Sequence, residues 1–139
     1  MEDREPLHIL RIREELAKLA NKGVKAELVR NGQDFVLYRS IETSGRGLNL
    51  PEVTDVLVPV PSGYPAAMID MPALPRESPL ITRVIGSNIQ AWHSVEGTVW
   101  GLCSYHPYNG GGGPPWNPMI HGFHDYYNHL YFWLHKLRG

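Results

Sequence analysis

Cys103 is the only cysteine in this chain of 139 residues, within Trp100-Gly101-Leu102-Cys103-Ser104-Tyr105-His106. A single thiol forms no internal disulfide, which leaves packing, metal ligation or chemistry. As a nucleophile it needs partial exposure and a neighbouring cation or amides to favour the thiolate. His106, three residues on, is the candidate partner, as a base or as a donor to an oxyanion. Against this stands packing. Free cysteine is among the most buried residue types, and Trp100 and Leu102 suggest a core strand around it.

Five of the seven histidines (His106, His121, His124, His129 and His135) lie in the last third of the chain. Zinc held by Cys103 and helix histidines is conceivable, but the spacing fits no strong metal signature and there is no second cysteine. No metal or other cofactor is expected. The four glycines at 110–113 lack the Lys-Ser/Thr of a phosphate loop and run into prolines. They read as a flap beside the cysteine, with Gly110 to Gly113 a candidate gate.

Elements must position these groups. Residues 6–21 read as a helix, with Ile9, Ile12, Leu16 and Leu19 on one stripe and Arg11, Glu14, Glu15 and Lys18 on a solvated face. Residues 25–30 and 34–42 read as strands joined at Asn31-Gly32, a hairpin signal. A third strand spans 53–60, and 68–74 is a candidate short fourth. Residues 80–92 are ambiguous, and 119–137 form a broad aromatic helix. The expected class is α+β: an N-terminal helix, an antiparallel meander of three to four strands, a long irregular crossing that carries the cysteine, and a C-terminal helix.

Composition narrows the function. Thirteen basic and 14 acidic residues give a net charge of −1, with no basic cluster to hold nucleic acid. No stretch approaches the ~18 apolar residues of a membrane span. A polar N-terminus and one cysteine fit a reducing cytoplasm. The length suits one domain over residues 1–139.

The motifs acquire meaning in order. Pro61-Ser62-Gly63-Tyr64-Pro65 follows the third strand; Asp70-Met71, Trp100, Ser104-Tyr105-His106 and Trp116-Asn117-Pro118 come after it. This order resembles the ubiquitin-conjugating (E2, UBC-fold) superfamily, and within it the bacterial group known as prokaryotic E2 family E, over about residues 5–137. The resemblance implies a transferase whose Cys103 takes a ubiquitin-like modifier as a thioester from an E1-like enzyme and passes it to an amine of a target protein. It also implies a place among bacterial ubiquitin-like operons, several of which act against phage. On this reading His106 assists, and Tyr64, Pro65, Ser104, Trp116 and Asn117 support the site. Classical members carry His-Pro-Asn ahead of the cysteine; here His93-Ser94-Val95 is the local counterpart. The oxyanion asparagine is absent there, leaving Asn88, Asn117 or His106 as candidates. A non-catalytic E2-like scaffold and a thiol- or zinc-dependent hydrolase remain as alternatives.

Overall fold

A computed structural model describes residues 5–45, 47–84, 89–108 and 113–137. Helix α1 (Leu7–Asn21) buries Ile9, Ile12 and Leu19 against the sheet. Glu15, expected among solvated charges, shares that inner face and is only 3% exposed. Strands β1 (Lys25–Asn31), β2 (Gln33–Glu42) and β3 (Val53–Pro59) form the expected meander. Gly32, at φ 78°, makes the first turn in the left-handed region that favours glycine.

The α+β class holds, but the sheet is larger than expected. Six antiparallel strands run in the order β1-β2-β3-β4-β6-β5. Strand β4 is the short Ala73–Pro75, followed by a 3-10 turn over Pro79–Arg83. Strands β5 (Ile89–Val95) and β6 (Thr98–Cys103) replace the expected irregular crossing. Their turn is Glu96-Gly97, both at positive φ (52° and 78°). That is the backbone of a tight two-residue hairpin, hidden behind a glutamate where Asn or Asp is the familiar signal. Cys103 therefore ends a paired strand, with Ile89 opposite it on β5.

The sheet has an apolar cluster on each face. Helices α1 and α2 (Phe123–Lys136) cover one, which contains Val36, Tyr38, Val56, Leu74 and Cys103. The other contains Val29, Phe35, Leu37, Leu57, Ala73 and Trp100, with Leu102 packed against it. No helix covers that side among the described residues. Instead the sheet curls: His93 of β5 packs edge-on against Phe35 of β2 at 5.5 Å, and Glu96 reaches Arg39 at 3.5 Å.

Helix α2 starts four residues later than expected. Asn117 Oδ1 accepts from Met119 N–H at 3.0 Å, and the Asn117 N–H donates to His121 Nδ1 at 2.9 Å, so 117–121 coils as a turn. The Gly122 N–H donates to Asp125 Oδ1, and the Phe123 N–H to Glu15 Oε1 at 3.1 Å, which covers two of the open donors at the helix start. Among the described residues no helix is long and apolar enough to cross a membrane.

Candidate active site

Strand alternation sorts the side chains of β6 up to its end at Cys103. Successive side chains of an extended chain point to opposite faces. Gly101, Cys103 and Tyr105 face the helices: a Cβ on Gly101 would strike Ile81 at 2.7 Å, and Tyr105 stacks on Trp133 of α2 at 5.1 Å. Trp100 and Leu102 face the other way. Strand β6 ends at Cys103, and the Tyr105 N–H closes back on the Cys103 carbonyl at 2.8 Å, so Ser104 sits in a tight turn beyond the strand.

Cys103 is 0% exposed. Its thiol donates to the Gly101 carbonyl at 3.4 Å, and its N–H to the Pro72 carbonyl at 2.8 Å. Burial pushes its pKa up to about 12, opposed only by a hydrogen bond from the Leu74 backbone. Burial of this kind favours the thiol over the reactive thiolate. The partly exposed thiol expected from the sequence is thus absent from this fold. Cys103 and His106, expected to act together, are engaged with different groups: the thiol with Gly101, the imidazole with Asp70 and Ser104.

His106 has other partners. Its Nδ1 lies 2.7 Å from Asp70 Oδ1, and its Nε2 lies 3.4 Å from Ser104 Oγ. In the neutral imidazole, the tautomer that donates from Nδ1 to the carboxylate turns the Nε2 lone pair towards the serine hydroxyl. The group is open to solvent, with side-chain exposures of 44% for His106 and 38% for Asp70. Asp70 is held from behind, because Tyr126 OH of α2 donates to its backbone carbonyl. Acid, imidazole and hydroxyl in that order form the arrangement in which a histidine takes a proton from an attacking serine. The 3.4 Å contact is loose, as such contacts often are before substrate binds.

Tyr64, Pro65 and Trp116 assemble elsewhere, around a buried carboxylate. Tyr64 OH donates to Glu15 Oε1 at 2.6 Å, and Arg11 Nε donates to Glu15 Oε2 at 2.8 Å. Burial, then the Glu15 hydrogen bond, raise the Tyr64 pKa far above the ordinary phenol value. Trp116 Nε1 donates to the carbonyl of Pro65, across a cis Tyr64–Pro65 peptide. These residues tie α1, the proline loop and the start of α2 together. Asn117 serves its own turn. Asn88 and Gly110–Gly112 lie outside the described residues.

Residues 12–136 match the family model described as prokaryotic E2 family E. The chain belongs to that family. No curated protein and no solved structure matches it. Membership makes this an E2-like domain, of a family that works with an E1-like enzyme and a ubiquitin-like modifier. The residue missed from the sequence as a site member is Asp70. It was visible within Asp70-Met71. Asp70 and His106 are 36 positions apart, however, and only the fold brings them together.

Proposed function

We propose that this E2-like protein carries its modifier as an oxyester on Ser104, with His106 as the base and Asp70 as the positioning residue. The carrying observation is the solvent-open Asp70–His106–Ser104 chain beside a buried Cys103. Ser104 Oγ attacks the carbonyl of the thioester that joins the modifier to the E1-like enzyme. The C–O bond forms and the C–S bond breaks. The hydroxyl proton passes to His106 Nε2 and then to the leaving thiolate. In the second half an amine of the target attacks the ester and the C–N bond forms; His106 Nε2 takes the proton from the amine nitrogen and hands it to Ser104 Oγ as the C–O bond breaks. An ester is less activated than a thioester, so discharge depends on the histidine more than it would from sulfur.

The thioester reading puts the modifier on Cys103 instead. It requires the end of β6 to leave β4 and turn its inner face outwards, breaking the bond from Cys103 N–H to Pro72. A scaffold without chemistry would carry no adduct. One experiment separates the three. The protein is mixed with the E1-like enzyme, the modifier and ATP, and the adduct is challenged with reductant and with alkaline hydroxylamine. An adduct that survives reductant, yields to hydroxylamine and disappears in Ser104→Ala supports the oxyester. A reductant-labile adduct lost in Cys103→Ala overturns it in favour of the thioester, and no adduct with a competent E1-like enzyme leaves the scaffold. Ser104→Cys is the converse check, because it should turn the adduct reductant-labile.

A further inference from the structure

A hollow of about 130 Å³ opens beside Asp70, walled by Pro59, Pro61, Asp70, Met71 and Leu102. Four of its five walls are apolar side chains. Two are proline rings, whose fixed φ holds that edge in place without a ligand. Asp70 belongs both to the hollow and to the hydrogen bond with His106. Leu102 is the last residue but one of β6, two positions before Ser104 in the chain. The space is small, on the scale of one aliphatic side chain.

We propose that this hollow receives an apolar side chain from the modifier's C-terminal tail and so sets the tail's terminal carbonyl at Ser104. The identity of the occupant rests on the oxyester reading; the preference for an apolar residue rests on the walls. The tail is the occupant because the acyl chain must pass Ser104 in every turnover, whatever the target. An extended chain advances ~3.3 Å per residue with alternating side chains, so a residue close to the carbonyl comes within reach of Leu102 and Met71. Charge narrows the choice further. An acidic residue in the hollow would face the Asp70 carboxylate and lose its own hydration, so acidic tails are rejected.

The test reads the hollow before any chemistry. The full chain, labelled at methionine and leucine methyls, is titrated with unreactive acetyl-tetrapeptide amides whose leucine stands second, third or fourth from the C-terminus. One leucine position should give saturable shifts at Met71 and Leu102. Aspartate at that position should weaken binding by about tenfold or more, and Met71→Arg should remove it. Equal responses to leucine and aspartate, or no response at Met71 and Leu102, overturn the proposal. The matching peptide thioesters separate the two claims. Acylation of Ser104 that ignores the leucine-to-aspartate change sinks the hollow and supports the oxyester. Selective binding at the hollow with no acylation supports the hollow and counts against the oxyester.

Discussion

Cys103 and Ser104 are adjacent in the chain, yet one ends a buried strand and the other sits in the turn beyond it, in different surroundings. The inner face at the end of β6 is dry and packed beneath α2, with Tyr105 stacked on Trp133 next to the thiol. The outer face is half-open and polar, with a histidine oriented by a carboxylate. A thiol is intrinsically the better nucleophile, but burial removes the thiolate on which that advantage depends. A hydroxyl is intrinsically poor, but a base at its side is the standard remedy. Environment thus reverses the order that residue type alone suggests.

The hardest test of this contrast replaces each residue in turn. Ser104→Ala should lower loading by about 10³-fold or more, the scale seen when an attacking serine is removed. Cys103→Ala should leave loading within about threefold and cost ~1–2 kcal/mol of stability, the loss of a small buried group. Quantified adduct formation and chemical denaturation read the two effects. The opposite pattern would put the chemistry on the inner face.

The next test stays on the outer face. His106→Ala should slow discharge to an amine by about 10²–10⁴-fold, the usual contribution of a positioned general base. Asp70→Asn should cost about tenfold, because the pair is solvent-exposed and its electrostatic share is screened. The Asp70 variant should also alter the pH profile of discharge, a change that a purely structural residue would not cause. Single-turnover rates on preloaded protein measure both. Equal rates for wild type and His106→Ala would leave the outer face without chemistry.

Much of the fold was legible in the sequence, and for stated reasons. The stripe Ile9, Ile12, Leu19 and the hairpin at Asn31-Gly32 follow local rules of periodicity and turn chemistry, and both appear where expected. The β5–β6 hairpin did not, because Glu96 adopts a positive φ that residue type does not advertise. That one turn decides the site. It converts an irregular crossing into a strand that ends at Cys103 and buries its thiol, with Ser104 in the turn just beyond. Glu15 was misplaced for a related reason: a buried carboxylate cannot be told from a surface one until its donors, 49 and 108 positions away, are assembled.

Glu15 also supplies the largest stability effect on the inner side. Glu15→Ala leaves the Tyr64 hydroxyl, the Phe123 N–H and Arg11 without their shared acceptor. The expected cost is about 3 kcal/mol, since buried donors lose their partner and a partly buried charge loses its counterion. For a chain of this size that lowers the melting temperature by about 10 °C. Tyr64→Phe removes one bond of the set and should cost ~1–2 kcal/mol. Loading per folded molecule should change little in either variant. A large kinetic loss with normal stability would tie this network directly to the outer face.

The smallest effect separates the faces by pH. His129 on α2 meets Tyr108 edge-on at 5.0 Å, and burial lowers its pKa, opposed by Asp125 and reinforced by His121. The folded protein therefore takes up this proton at lower pH than the unfolded chain does. Between the two values the unfolded state binds more protons, so stability falls as pH drops below about 6.5 and levels off once the folded-state value is passed. His129 is only half-buried, so the loss should be a fraction of a kcal/mol. Denaturant midpoints between pH 7.5 and 5 should show it in the wild type, and His129→Gln should flatten that part of the profile while leaving the pH dependence of discharge in place. If His129→Gln instead shifted the discharge profile, proton uptake beneath the helix would be coupled to the serine side, and the two faces would not act separately.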